Sequence, residues 1–201
     1  MMLVLTLLCR DEADILESML RFHLAQGVDR IIATDNGSVD GSLEILQRFE
    51  RRGQLTLLQE AEQTHDQAVW VTRMARMAAA MGADWVINSD ADEFWWPQQG
   101  DLNSTLAQLP ESIEGMLVDR TNFLPPPRKS NDQRPFFQRQ TLRERVSCNS
   151  LGVPLPPKLI QRAHPDIEIT DGNHGALLDG KPIAAIKSTS IEILHVPGRS
   201  Y

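Results

Sequence analysis

The hydrophobic pattern of the chain changes character halfway along. In the first half, short apolar runs alternate with longer stretches of helical period. Residues 3–8 form a continuous apolar run, as expected of a central parallel strand covered on both faces. Residues 11–26 carry Ile15, Leu16, Met19, Leu20 and Leu24 at helical spacing, and Gly27 is placed to end that helix. Residues 29–34, with Ile31 and Ile32, read as a second strand. The polar turn Asp35-Asn36-Gly37-Ser38-Val39-Asp40-Gly41 leads into a helix through Leu43, Leu46 and Phe49. Residues 55–58 are a third strand, and residues 64–81 a helix with Val69, Met74, Met77 and Ala78 inward, stopped near Gly82. Residues 85–88 are a fourth strand. Strict alternation of strand and helix implies right-handed βαβ crossovers and a parallel sheet.

The second half loses that rhythm. The pattern predicts a helix over about 103–109 and a strand over about 115–119. Residues 124–132 include three consecutive prolines and a polar flank, which reads as a mobile loop. Residues 135–146 suggest one short helix, and 158–162, 167–170 and 191–195 look like short strands. No internal repeat or low-complexity tract appears. The layout is one α/β domain over 1–201, with a nucleotide-binding half (1–97) and an irregular second half (98–201).

Composition narrows the class. A chain of 201 residues that is 41% hydrophobic can bury a full core without staples. A net charge of −7 argues against a nucleic-acid partner. Cys9 and Cys148 lie far apart and outside any Cys-x-x-Cys, so both read as reduced thiols of a cytoplasmic protein. The apolar start is cut short by Arg10-Asp11-Glu12, too soon for a signal peptide or a span, and no later segment is long enough to cross a bilayer.

The chemistry gathers at strand ends. The fourth strand runs into Asn88-Ser89-Asp90-Ala91-Asp92-Glu93-Phe94, two aspartates one residue apart, close to Trp85, Trp95 and Trp96. Two carboxylates where a strand turns can reach one hard cation, Mg²⁺ or Mn²⁺, and the phosphates it carries. In an open parallel sheet, ligands bind outside the carboxyl ends of the strands. Cys9-Arg10-Asp11-Glu12, Asp35-Asn36-Gly37-Ser38 and Asp90-Ala91-Asp92 all belong on that edge. Taken singly, residues 35–40 also read as a turn and helix cap. Trp95 and Trp96 suit stacking on a sugar ring as well as plain packing.

These motifs, from Thr6 to Glu12, Asp35 to Ser42 and Asn88 to Phe94, together resemble family 2 glycosyltransferases of the GT-A fold, in particular a small bacterial branch with a Cys-Arg-Asp-Glu start. The resemblance covers about residues 3–97 closely and the remainder loosely. It implies a GT-A-like α/β fold and metal-dependent, inverting transfer of a sugar from a nucleotide-diphosphate donor, most often a UDP-sugar, to a glycan or other hydroxyl acceptor. In that pattern Asp35 reads the base, and Arg10 and Arg73 face the donor; Arg73 also reads as a solvated helix charge. Asp90 lies near the ribose or metal, and Asp92 binds the divalent ion. A late histidine joins the metal, with His174 and His195 as candidates and His174 favoured by chain order. The base is Glu144, with Asp171 as rival; the family's Glu-Asp pair is absent from Leu142-Arg143-Glu144-Arg145. The chain is short for that family, so further acceptor contacts are expected in a C-terminal extension. Two other classes use the same aspartates: a divalent-metal phosphoesterase or nucleotidyltransferase, and a non-catalytic nucleotide-sugar or glycan-binding module.

Overall fold

The first apolar run forms β1 (Leu3–Cys9), with Leu3 to Leu7 fully inside. The computed structural model describes residues 1–60, 67–124 and 136–198. After β1 come α1 (Leu16–Ala25), β2 (Arg30–Asp35), α2 (Ser42–Arg51), β3 (Leu55–Gln59), α3 (Gln67–Ala80) and β4 (Trp85–Ser89). β1 pairs in parallel with β2 and with β4, and β2 in parallel with β3. The carboxyl ends of β1, β2 and β4 therefore share one edge, as the alternating pattern requires.

The later elements are β5 (Glu93–Pro97), α4 (Leu102–Ala107), β6 (Gly115–Val118), β7 (Arg120–Leu124), α5 (Phe136–Arg139), β8 (Leu142–Arg143) and β9 (Lys158–Arg162). They continue with β10 (Glu168–Ile169), a single 3₁₀ turn (Asp171–Asn173), β11 (Ala176–Leu178), β12 (Lys181–Pro182), β13 (Ala185–Lys187) and β14 (Ile191–His195). The main sheet runs β13-β6-β9-β4-β1-β2-β3. β9 enters it antiparallel to both β4 and β6. A second sheet, β5-β14-β7-β8, grows from the β4 exit, and β10-β11-β12 form a third.

Alternation along β1 explains the two cores. Leu3, Leu5 and Leu7 meet Leu16, Met19 and Leu20 of α1 and Leu46 and Phe49 of α2 on one face. Val4 faces Val71, Met74, Ala75 and Ala78 of α3 on the other. Thr6 points to the α3 side but stays satisfied. Its hydroxyl donates to Asn88 Oδ1 at 2.7 Å, and the Asn88 amide donates to Gln161 Oε1 at 3.1 Å, a buried polar line across three strands.

Several expectations need correction. The helix expected from residue 11 begins at Leu16, because Asp11 takes φ +55° and the preceding segment is loop. Val69 is 64% exposed rather than inward; the buried stripe of α3 is Trp70, Val71, Met74, Ala75 and Ala78, the spacing one helix face demands. The region expected to be one short helix holds α5 and then β8. The second half joins short, mostly antiparallel strands, whose pairing local pattern could not give, with stretches of loop such as residues 144–157. The expected Pro-rich loop beyond Leu124, and residues 64–66 of the expected third helix, lie outside the described residues.

Candidate active site

The β1 and β2 exits are stitched together. Ser38 Oγ accepts from Asp11 N at 3.1 Å, Asp11 Oδ1 from Val39 N at 2.8 Å, and Ser42 Oγ from Glu12 N at 2.8 Å. Asp40 accepts from Ser42 N at 3.0 Å and from Ala13 N at 2.9 Å, so it serves the turn and the helix start. Gly41, at φ +104°, allows the chain to enter α2 there.

Asp35 behaves differently. It is the last residue of β2, 3% exposed, and its Oδ2 accepts a 3.2 Å bond from Ser38 N. Its Oδ1 is buried and, among the described residues, has no hydrogen-bond partner. A buried carboxylate oxygen without a donor is costly, and such atoms call for an explanation. Beside it, Glu60 N donates to Asp35 O at 2.9 Å, and Arg73 reaches Glu60 Oε1 at 2.6 Å. Arg73 is thus on the rim next to Asp35, ion-paired rather than simply solvated. Arg10 is exposed, 3.7 Å from Asp11. Burial, with Asp35 nearby, pushes the Cys9 thiol up, so it stays protonated; both cysteines are free thiols.

At the β4 exit the chain turns, with Glu93 N bonding Asp90 O at 3.3 Å, and the two aspartates engage different partners. Asp90 Oδ2 sits 2.6 Å from Lys158 Nζ, and Lys158, 1% exposed, also stands 3.3 Å from Glu93 Oε1. Arg120 lies 3.6 Å from the same Glu93 oxygen, and Asp90 N donates to Glu93 Oε2 at 3.2 Å. Two cations and two carboxylates make a locally neutral, largely buried cluster. Burial, helped by Asp90, raises Glu93 above the usual carboxylate range, while Lys158 and Arg120 oppose the rise.

Asp92 belongs to another group. Its Oδ2 is 3.4 Å from His195 Nε2, and Val196 N donates to Asp92 O at 2.9 Å. His195 Nδ1 lies 2.6 Å from Asn122 Oδ1, and Asn122 Nδ2 donates to Glu144 Oε2 at 2.8 Å. Glu144, Asn122, His195 and Asp92 therefore form one continuous line. Strand register creates it: His195 pairs with Glu93 on one side and with Asn122 on the other, which puts all three on one face.

His174, the histidine favoured by chain order, is held elsewhere. Its Nδ1 donates to Pro157 O at 2.8 Å, and its ring lies so close to Gly172 that a Cβ there would fall 2.7 Å from Nε2. Burial lowers its pKa, and Asp90, Lys158 and Arg120 are within electrostatic reach. Its neighbour Asn173, 2% exposed, makes the long 3.5 Å approach to Asp90 Oδ1. Asp171 opens the 3₁₀ turn and is exposed. Trp95 is core, its indole donating to Ser89 Oγ at 3.0 Å. Trp96 stacks on Phe22 in an aromatic groove of about 550 Å³ whose lining includes Leu194 and Val196, the residues on either side of His195.

Lys158, Arg120, Asn122 and Glu93 were not found by sequence reasoning. Lys158 carries the faintest signal, a lysine opening an apolar strand, and nothing local says what it meets. Among the described residues, no group of three or more His, Cys, Asp and Glu is gathered as a metal cage. The donor set fits a divalent ion only in part. Asp92 and His195 offer an oxygen and a nitrogen side by side, whereas Asp90 is already neutralised by Lys158. Two protein ligands make a shell that phosphate oxygens would have to complete. Among the described residues, no helix is long and apolar enough to cross a membrane.

No curated protein sequence matches the chain. The structure of S. aureus TarS 1–349 superposes on 98% of this chain with a TM-score of 0.60 at 13% identity, and the chain spans 60% of the length of that structure. The same protein in complex with UDP matches 81% of this chain and 47% of its own length, with a TM-score of 0.53 at 14% identity. At such identities the likeness is one of fold, the GT-A glycosyltransferase fold. The family model for glycosyltransferase family 92 matches residues 9–150. The resemblance to family 2 thus holds for fold and reaction class, not for the family itself. The matched segment runs from the end of β1, through the Asp35 and Asp90-Ala91-Asp92 exits, to the loop after Glu144, and on that match the chain belongs to glycosyltransferase family 92.

Proposed function

We propose that this chain binds a nucleotide-diphosphate sugar at the carboxyl edge of β1, β2 and β4 and transfers the sugar, with inversion, to a hydroxyl of a glycan or other acceptor. The observation that carries the reading is Asp35, a buried strand-end carboxylate whose Oδ1 has no donor among the described residues. The imide N–H of a uracil is a donor of the kind that oxygen lacks, and the fold-level likeness to TarS, known in complex with UDP, is consistent with a uridine nucleotide. Arg73 and Arg10 stand on the same rim for the donor.

Asp92 and His195 would hold Mn²⁺ or Mg²⁺ together with the diphosphate. The ion, when bound, would neutralise charge developing on the leaving group. Asp90, tied to Lys158, is better suited to the ribose side than to being a second full ligand. His195, 3.4 Å from Asp92, is preferred over His174 as the nitrogen ligand; the bond of His174 Nδ1 to Pro157 O does not by itself exclude its Nε2. Glu144 is the favoured base, because its carboxylate lies on the line that ends at Asp92, whereas Asp171 is exposed and off it. In a single in-line displacement the acceptor oxygen attacks the anomeric carbon. Its proton passes to Glu144, and the sugar–phosphate bond breaks with its electron pair leaving on the diphosphate. The two free thiols favour a cytoplasmic setting.

Calorimetry with UDP, with and without Mn²⁺, tests the reading. Asp35→Ala should weaken UDP binding by about 1.5–3 kcal/mol, the range for a hydrogen bond to a charged group. Asp92→Asn should abolish the gain that Mn²⁺ gives. Parent-like titrations in both variants would sink the assignment. Turnover of a panel of UDP-sugars then separates transfer to an acceptor from phosphate release or mere binding.

A further inference from the structure

We infer that Asn122 is a positioning residue: it fixes the ring tautomer of His195 and so turns the Nε2 lone pair toward Asp92. The functional consequence rests on the metal-dependent reading above; the tautomer rests on donor and acceptor chemistry alone.

A side-chain amide has one accepting oxygen and one donating NH₂, and the two ends are told apart by their partners. Asn122 is 4% exposed, on β7. One end of its amide faces Glu144 Oε2 at 2.8 Å and the Cys148 carbonyl oxygen at 3.0 Å. A peptide carbonyl never donates, so the NH₂ must be at that end. The amide oxygen is then the atom 2.6 Å from His195 Nδ1. An amide oxygen never donates either, so Nδ1 carries the proton. A neutral imidazole has one N–H and one lone pair, which leaves the lone pair on Nε2, 3.4 Å from Asp92 Oδ2.

The backbone holds Asn122 where this logic applies. Its N–H donates to Ser147 Oγ at 2.8 Å, and its carbonyl accepts from Glu144 N at 3.0 Å. The carrier strands β7 and β14 run in parallel with His195 beside Asn122, so neither side chain can leave the shared face without breaking register. An imidazole lone pair and a carboxylate oxygen this close repel each other unless a cation lies between them. The Nδ1–H tautomer is the one that readies the pair for a metal ion; the Nε2–H tautomer would close the gap with a hydrogen bond instead. Partners behind a ligating histidine commonly orient it in this way. Here the partner is an asparagine, itself braced by Glu144 and the Cys148 carbonyl.

The test is long-range ¹H–¹⁵N NMR of the imidazole rings in the full metal-free chain, at about pH 8, above the ordinary imidazole range. The parent should show His195 with Nδ1 protonated and Nε2 bare. Asn122→Ala should move it to the Nε2–H tautomer. Asn122→Asp, which keeps an acceptor in the same place, should restore Nδ1–H. Mn²⁺ affinity with UDP present should fall about 10–100-fold in Asn122→Ala, the usual cost of losing such a partner, and recover in part in Asn122→Asp. An Nε2–H tautomer in the parent overturns the inference, and so does an Asn122→Ala variant that keeps Nδ1–H. If the alanine variant does not fold, the parent spectrum and the aspartate variant decide. A parent with Nδ1–H that binds no Mn²⁺ with UDP upholds the tautomer and fails the metal reading, so the two can be told apart.

Discussion

The two halves of the domain use polar side chains in opposite ways. At the exits of β1 and β2, Ser38, Asp40 and Ser42 are spent on the neighbouring loop, while Asp35 keeps a buried oxygen with no hydrogen-bond partner among the described residues. Across the sheet, the groups that gather around Asp90 and Asp92 are paired with one another: Lys158 with Asp90 and Glu93, His195 with Asn122, Asn122 with Glu144. The Asp35 side therefore presents a buried acceptor, the place proposed above for the base of the nucleotide. The other side is a charge-paired network, in which Glu93 Oε1 faces Lys158 and Arg120 as ion pairs and, among the described residues, has no hydrogen bond. A missing donor costs the folded chain free energy until something supplies it. A paired network instead holds its geometry in the free protein.

Three measurements would break or sharpen this contrast. The largest effect is expected at Lys158. Lys158→Met leaves Asp90 and fully buried Glu93 facing one remaining cation, Arg120. Removing one partner of a buried pair typically costs about 3–5 kcal/mol, so urea unfolding should show a loss of that order. A loss under about 1 kcal/mol, the scale of an exposed pair, would mean that the cluster is solvated and the contrast false.

Glu144→Gln comes next. The variant keeps a side-chain oxygen for Asn122 but cannot take a proton. Binding of UDP should stay near the parent's, while sugar transfer should drop by about 10²–10⁴-fold, the usual contribution of a general base. Unchanged transfer would reduce Glu144 to a brace for Asn122 and return the base role to Asp171.

The smallest effect at ordinary pH concerns the contact of α1 with β5. His23 on α1 is wholly buried; its Nδ1 donates to Met19 O at 2.9 Å and its Nε2 accepts from Trp95 N of β5 at 3.2 Å. Burial lowers its pKa from 6.5 to about 4, with the Met19 bond opposing. The unfolded chain binds that proton first as pH falls. The stabilisation is therefore complete above about pH 6.5 and is lost between there and about pH 4, amounting to roughly 3 kcal/mol at the acid end. Denaturation curves at several pH values should show this slope in the parent and a shallower one in His23→Gln. Equal slopes would place the acid sensitivity in another group.

Much of the parallel half was legible beforehand. A buried strand is a short apolar run, and the run's end marks where polar residues meet the sheet edge. Asp35, Asp90 and Asp92 could be named from that alone, because their places follow from local hydrophobicity and the parallel order. The stripe of α3 was less secure: Val69 is apolar yet faces out, since period alone leaves the phase of a helix open when several neighbouring residues are hydrophobic.

The late histidine shows where local reading stops. His174 and His195 both lie near short apolar segments, and chain order favoured His174. Pairing of β14 with β5 and β7 brings His195 to Asn122 and Asp92, while His174 stands beside Pro157 and Gly172, within electrostatic reach of Asp90. The amino-acid sequence by itself determined the strand–helix alternation, the polar edge and the aspartates upon it, because those depend on residues near one another in the chain. Only the tertiary structure decided that Lys158 neutralises Asp90 and that Asn122 stands behind His195. Those partners come from strands far apart in sequence, and their register is set by long-range backbone pairing that no local pattern encodes.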